Sequence, residues 1–196
     1  MSVELPRAVV RRQVLGLALV FPFAAPALAQ TAPADPPPSG DASGGVLLTL
    51  TPRPAIVFGG SADWDDGLRA IMEALDRLRD EMGKAGLRAG GRPVTVFTET
   101  DDKGFRYQAM IPLAQAPETP PALGEAVRIG ATPAGKAMKF EHRGAYDDID
   151  STYEAITVYL DEKGLEAQNL FVEEYLSMPK SADDQDMEVD IYVFIK

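Results

Sequence analysis

A carboxylate between aromatic residues near the end of the chain is the pattern best suited to chemistry. Phe171, Glu173 and Tyr175 follow one another at two-residue intervals in a segment of strand-like composition, so their side chains share one face of a strand. A carboxylate among aromatic rings attracts an organic cation, aided by cation–π contacts. The same surroundings raise the pKa of the carboxyl and suit it to general acid–base work. In the alternative register, Glu173 faces solvent and Glu174 points inward.

Two groups of residues recur in the second half of the chain at similar offsets. Trp64-Asp65-Asp66 corresponds to Tyr146-Asp147-Asp148. Phe97-Thr98-Glu99 corresponds in the same way to Phe171-Val172-Glu173. If Glu99 and Glu173 face one groove, the two carboxylates could share a proton or bind a cation together. In the alternative, Glu99 is an exposed residue of an acidic run.

Aromatic side chains at several positions could form the walls of a binding site. Each is as well suited to the hydrophobic core as to contact with a ligand. The ligand-binding residues predicted in addition to the two glutamates are Trp64, Phe97, Tyr107, Tyr146, Tyr175 and Tyr192.

The composition excludes several kinds of site. The 196 residues contain no Cys and a single His, which removes disulfides, thiolate metal sites, cysteine nucleophiles and iron–sulfur clusters. We predict no metal site and no cofactor. His142 is expected to be structural or exposed, with a role as a base near Tyr146 as the alternative. The acidic stretch Asp183-Asp184-Gln185-Asp186 lacks the glycine and the final glutamate of a calcium loop.

The first 29 residues have the composition of a bacterial secretory signal. Three arginines precede an apolar run over residues 14–23, and Ala27-Leu28-Ala29 supplies small residues for cleavage. We predict a signal peptide over residues 1–29, read by the Sec or the twin-arginine route. The protein is then periplasmic or secreted, with no stable membrane insertion after cleavage. An uncleaved membrane anchor is the alternative.

The mature chain is predicted to be more acidic than the whole. The net charge of −11 becomes −13, because the signal carries three arginines and one glutamate. Such a charge argues against a nucleic-acid partner, since an acidic protein releases no counterions from phosphates.

Residues 30–44, rich in Pro, Ala, Gly and Ser, are predicted to be a disordered linker, and residues 45–196 to form one domain.

The domain is predicted to consist of two related halves, residues 45–116 and 122–196. Each half contains a strand, a helix with one apolar stripe and two further strands, and a glycine ends each helix. The fold class is therefore α+β, with two pseudo-symmetric β-α-β-β modules, antiparallel sheets and a ligand groove between the halves. We expect residues 46–50 to continue past two prolines into residues 55–58 as the first strand.

Three motifs of the second half resemble those of a known family. Gly144-Ala145-Tyr146 is similar to its G-P-Y signature, and residues 173–179 are similar to its E-x-Y-x-x-x-P motif. Residues 188–195 are similar to its closing T-E-I-Y-I-P-I strand. The chain resembles the GyrI-like small-molecule-binding domain, also called the AraC-type effector-binding family. The resemblance is good over residues 124–196 and rests on pattern and repeat over residues 46–113.

The resemblance implies two pseudo-symmetric modules with a ligand groove between them. Members of the family often bind bulky aromatic or cationic compounds, using aromatic walls and an acidic residue that corresponds to Glu173. Some are effector domains of transcription factors, and some resemble hydrolases of cyclopropane-bearing toxins. Ala145 and Phe194 stand where the family has proline. We expect no DNA-binding regulator, since no helix-turn-helix is recognised ahead of the domain.

We predict an exported, standalone protein that binds an aromatic or cationic small molecule between two repeats, and is a binding protein rather than an enzyme. A hydrolase that uses Glu173 with Tyr146 is the first alternative, and a protein-interaction module with a filled groove is the second. An open apolar cavity with Glu173 at its base would favour a binder or an enzyme, and a filled one the interaction module. The oligomeric state is left open.

Overall fold

The computed structural model describes residues 44–196 of the chain. The signal peptide predicted over residues 1–29, and all but the last residue of the predicted linker, lie outside the described residues. Within the part that is described, no helix is both long enough and apolar enough to cross a membrane.

Eight strands and two α-helices make up the described part of the chain. Each helix is preceded by a single 3-10 turn, Trp64–Asp66 or Tyr146–Asp148. In chain order the elements are β1 (Val46–Leu50), β2 (Pro54–Asp63), α1 (Gly67–Lys84), β3 (Val94–Thr100), β4 (Gly104–Pro112), β5 (Val127–Ala131), β6 (Gly135–Arg143), α2 (Ile149–Lys163), β7 (Ala167–Tyr175) and β8 (Glu188–Ile195).

All eight strands belong to one antiparallel sheet, in the order β1-β6-β8-β7-β3-β4-β2-β5. The runs β2-α1-β3-β4 and β6-α2-β7-β8 have the same element order, and they meet in the middle of the sheet, where β3 pairs with β7. The predicted α+β class with antiparallel strands is confirmed.

The two remaining strands connect the halves. β1 pairs with β6 at one edge of the sheet, and β5 pairs with β2 at the other. The expectation that residues 46–50 continue into residues 55–58 as one strand is therefore wrong, since five other strands separate β1 from β2 in the strand order. Pro52 and Pro54 stand at the interruption, and a proline nitrogen cannot donate to a strand ladder. Each half is thus completed by a strand from the other.

Both helices present an apolar stripe to the same face of the sheet. Ile71 and Leu75 of α1 and Tyr153 of α2 are buried in one continuous core. Burial of each such large side chain contributes about 1.5–3 kcal/mol. Gly86 and Gly164 follow the two helices with φ values of 66° and 63°, the left-handed conformation that ends a helix and favours glycine.

The sheet has a helix face, covered by α1 and α2, and a helix-free face. Side chains alternate along β7, so Phe171, Glu173 and Tyr175 lie on the helix face. Val172 and Glu174 lie on the helix-free face, where a smaller apolar cluster forms. The alternative register, with Glu173 in solvent and Glu174 under the helices, is therefore wrong.

Candidate binding site at Glu173

Glu173 lies at the junction of the two halves, where the sequence predicts the groove. It is paired in register with Thr95 on the neighbouring strand β3. Only 1% of its surface is exposed. A buried carboxylate must find hydrogen-bond donors, because water is excluded from it.

Three tyrosine hydroxyls donate to the Glu173 carboxylate. Tyr153 donates to Oε1 at 2.8 Å. Tyr175 and Tyr146 donate to Oε2 at 2.9 and 3.1 Å. The three rings come from α2, from β7 itself and from the 3-10 turn before α2. The structure therefore brings the predicted residues Glu173, Tyr146 and Tyr175 together, and adds a donor, Tyr153, that was not predicted as a site residue.

The sequence holds a signal that could have identified Tyr153. It lies on the inward stripe of α2, seven residues after Tyr146. Seven residues are close to two turns of a helix, so both rings point towards the same part of the sheet. Counting seven residues forward from the family-like Tyr146 would have placed Tyr153 beside Glu173.

Burial decides the protonation of this cluster. It raises the pKa of the Glu173 carboxyl to about 7, although the three hydroxyls partly oppose the rise. Burial is also the main reason why the pKa values of Tyr146, Tyr153 and Tyr175 lie well above their ordinary value. The hydroxyls therefore keep their protons, whereas Glu173 gains or loses its charge near neutral pH.

His142 holds the turn that carries Tyr146. It is 1% exposed, and its Nε2–H donates to the Ala145 carbonyl at 3.0 Å, since a carbonyl can only accept. Its Nδ1 then accepts from the Thr152 hydroxyl at 2.8 Å. Burial lowers the pKa of the ring. The single histidine is thus a neutral structural residue that ties the turn to α2.

The predicted aromatic residues of the first half form one row with those of the second. Phe97 is paired in register with Phe171, and its ring centroid is 5.2 Å from that of Phe105. The Phe105 ring contacts Trp64 at 4.9 Å and Tyr107 at 5.7 Å. The row lies under the helices and leads from Trp64 towards the Glu173 cluster.

The two polar side-chain atoms of this row donate hydrogen bonds to backbone carbonyls. The Trp64 Nε1–H donates to the Asp101 carbonyl at 2.9 Å. The Tyr107 hydroxyl donates to the Ala70 carbonyl at 3.0 Å. The polar atoms of Trp64 and Tyr107 therefore brace the fold, while the Tyr107 ring is part of the core and the Trp64 ring packs against it.

Glu99 and Tyr192 are not brought to this cluster. Glu99 is paired in register with Arg106, after a bulge that follows Phe97, and the two side chains form an exposed ion pair at 3.6 Å. The bulge turns Glu99 away from the face that the predicted repeat assigned to it. Tyr192 lies on the helix-free face and donates to Glu174. Glu173 therefore has no second carboxylate facing it from β3.

The site is closed in this structure. Glu173 is buried, and the tyrosine rings occupy the space beside it. The two cavities described for residues 44–196 have other linings. In the same part of the chain, no three His, Cys, Asp or Glu side chains are grouped so that they could hold a metal ion.

The profile of the GyrI-like small molecule binding domain matches residues 46–196. The chain belongs to this family. No curated protein matches the chain at a significant level.

Solved structures share the fold at low sequence identity. The C-terminal domain of EcmrR is 16% identical with a TM-score of 0.64, and the match covers 78% of this chain and 97% of that one. A hydrolase from Listeria innocua is 15% identical with a TM-score of 0.55, covering 83% and 94%. An uncharacterized conserved protein from Listeria innocua is 14% identical with a TM-score of 0.56, covering 78% and 92%.

Proposed function

We propose that this chain is an exported protein that binds an aromatic organic cation at Glu173. The observation that carries the proposal is a buried carboxylate whose hydrogen bonds all come from tyrosine hydroxyls. No lysine or arginine of residues 44–196 is among the main causes of the shift of its pKa. The closed site by itself favours the protein-interaction module, but membership of a small-molecule-binding family supports the binding protein over it. A carboxylate without a counter-ion, among aromatic rings, suits a cationic ligand.

Tyr146 is the donor that a ligand would displace. Its ring is partly buried, whereas Tyr153 and Tyr175 are buried, and it lies in the short turn before α2 rather than inside an element. A cation in its place would pair with Oε2 of Glu173 and stack against the remaining rings. The pairing would compensate the charge that burial penalises. Binding thus requires movement of one side chain, not of the sheet.

Titration with N-methylquinolinium tests the proposal. This flat cation keeps its charge at every pH, and quinoline, which is neutral at pH 8, has nearly the same shape. By calorimetry at pH 8, we expect saturable binding of the cation, at least tenfold tighter than that of quinoline. Affinity should rise from pH 6 to pH 8, because Glu173, with a pKa of about 7, loses its proton over that range.

Glu173→Gln is the decisive variant, and Glu174→Gln is its matched control. The control removes a carboxylate from the adjacent residue, on the other face of the sheet. We expect the first variant to abolish binding of the cation and the second to keep it. Unchanged affinity in Glu173→Gln overturns the proposal. If the folded wild-type protein binds no cation, the protein-interaction module becomes the better interpretation, since its site is filled by its own tyrosines.

A hydrolase is the second candidate, and the pKa of Glu173 favours it. A carboxyl with a pKa of about 7 can donate or accept a proton at neutral pH, and Tyr146 lies within hydrogen-bonding distance of it. Turnover of p-nitrophenyl acetate by the wild-type protein, lost in Glu173→Gln and kept in Glu174→Gln, would support the enzyme. Binding of the cation without any turnover would support the binding protein.

Export rests on the sequence of residues 1–29 and is tested separately. The full chain should be produced in a bacterial host and the periplasmic fraction examined by intact-mass spectrometry. We expect a chain that begins at Gln30, as cleavage after Ala29 requires. An uncleaved chain in the membrane fraction would instead support the anchor.

A further inference from the structure

An open cavity lies on the helix-free face, across the sheet from the closed site at Glu173. Its volume is about 290 Å³, at the lower end of the range of small-molecule pockets, about 300–1,000 Å³. Arg53, Glu174 and Tyr192 form its polar wall, and Val172 and Phe194 contribute to its apolar floor. The cavity therefore combines two opposite charges with an apolar surface in a space for one small molecule.

The two charged groups approach each other without sharing a hydrogen bond. Nη2 of Arg53 and Oε1 of Glu174 are 3.8 Å apart, beyond hydrogen-bonding distance. The other oxygen of Glu174 accepts from the Tyr192 hydroxyl at 2.7 Å. The Glu174 side chain is 16% exposed and that of Arg53 is 43% exposed. One carboxylate oxygen and one end of the guanidinium are thus accessible to a ligand.

The neighbouring lysine, Lys139, pairs with Asp190 and not with Glu174. Asp190 is paired in register with Glu174, but its Oδ2 forms a salt bridge with Lys139 at 2.7 Å. Lys139 is therefore already engaged, and Arg53 is the cation facing Glu174 within the described residues. A ligand that brings a cationic group to Glu174 meets no competing lysine in the described part of the chain.

The polar wall is fixed in place by the strand exchange. Arg53 lies in the connection between β1 and β2, and its backbone N–H donates to Oγ1 of Thr132 at 3.0 Å. Thr132 lies in the connection between β5 and β6. The two crossing connections of the halves are thus joined beside the cavity, and they hold Arg53 over the sheet.

We propose that this cavity binds a small zwitterion, an α-amino acid with an apolar side chain. Its carboxylate would pair with Arg53, in the planar geometry that guanidinium groups favour. Its ammonium group would pair with Oε1 of Glu174, and its side chain would cover Val172 and Phe194. Adjacent opposite charges suit a molecule that carries both on neighbouring atoms, and they disfavour a simple cation or anion, which would leave one of them unpaired.

L-Leucine is the probe, and three relatives each remove one recognised feature. Leucinamide lacks the carboxylate and stands for the first residue of a peptide, 4-methylpentanoate lacks the ammonium group, and glycine lacks the apolar side chain. By calorimetry on the purified protein at pH 7, we expect saturable binding of leucine. Each of the three relatives should bind at least tenfold more weakly. Equal binding of leucinamide would assign the cavity to cations alone and overturn the proposal.

Variants on the two faces separate this site from the one at Glu173. Arg53→Met and Glu174→Gln should each weaken leucine binding tenfold or more, and Glu173→Gln should leave it unchanged. Far-ultraviolet circular dichroism and the melting temperature establish that each variant is folded. The proposal is overturned if leucine does not bind, or if the loss follows Glu173→Gln and spares the other two variants. The cation titration at Glu173 can fail without affecting this result.

Discussion

At the scale of the residue, Glu173 is held where its charged form is penalised by burial and supported by three hydroxyls. The balance leaves the pKa of the carboxyl at about 7, against an ordinary value of 4.5. The folded protein therefore binds a proton more tightly than the unfolded chain does. This difference makes the contribution of Glu173 to stability depend on pH.

The contribution of Glu173 to the free energy of unfolding should be fully present below pH 4.5. It should be lost as the pH rises through about 7. The total change in the free energy of unfolding is about 3 kcal/mol, because each unit of difference between the folded and unfolded pKa corresponds to about 1.4 kcal/mol. Urea denaturation of the wild type and of Glu173→Gln at pH 5, 6, 7 and 8 measures it. The stability of the wild type relative to that of Glu173→Gln should fall with rising pH, and a constant difference would contradict the raised pKa.

The hydroxyl of Thr152 should contribute measurably to stability through His142. Thr152 is fully buried, and Thr152→Val leaves Nδ1 of His142 without its donor. We expect a loss of about 1–2 kcal/mol in the free energy of unfolding. Thr157→Val is the control, since the Thr157 hydroxyl bonds only to a carbonyl of its own helix, and should change stability by less than about 0.5 kcal/mol. Equal effects of the two variants would remove the structural role assigned to His142.

At the scale of the element, the ends of the helices follow from glycine geometry. Gly164 has a φ of 63°, and a Cβ added there would meet no atom within 4 Å. The cost of a side chain at this position is therefore that of the backbone conformation alone. Gly83, inside α1, is equally open, but its φ is not in the positive region. The two positions form a matched pair.

Gly164→Ala should destabilise the protein by about 1 kcal/mol, because alanine resists a positive φ. Gly83→Ala should stabilise it by about 0.5–1 kcal/mol, because alanine favours a helix interior. Midpoints of thermal unfolding of the two variants, compared with the wild type, test both signs. A shift in the same direction for both would show that the ends of the helices are not set by φ.

At the scale of the whole molecule, the strand exchange makes the halves interdependent. β1 pairs with β6, β5 with β2, and β3 with β7. A separated half would expose the unpaired edges of three strands and the central part of the core. Such a piece loses its ladder hydrogen bonds and much of its apolar burial.

Fragments 45–116 and 117–196 should be unfolded when separate. Mixed at equal concentrations, they should recover the near-ultraviolet circular dichroism of the intact domain. Each fragment alone, at the same concentration, is the control. Cooperative urea unfolding of a single fragment would contradict the interdependence, and would favour halves that fold as independent modules.

The sequence alone determined the elements, because their signals are local. Apolar stripes, terminal glycines and strand-like runs gave both helices and the antiparallel α+β class. The motif around Glu173 also pointed to the carboxylate that the structure buries among tyrosines, and alternation along β7 to the face that it shares with Tyr175. These features depend on residues that are close in the chain, so no knowledge of distant pairing was needed.

Only the tertiary structure decided which strands exchange and which side chains converge. The bulge after Phe97 turns Glu99 to an exposed position beside Arg106. No pattern in the neighbouring residues predicted this bulge. Tyr153 joins Glu173 because α2 packs over the second half of the sheet. The cavity at Arg53 exists because two connections, 79 residues apart at their hydrogen bond, cross on the helix-free face. Contacts of this kind are set by packing over the whole sheet, which residue spacing does not encode.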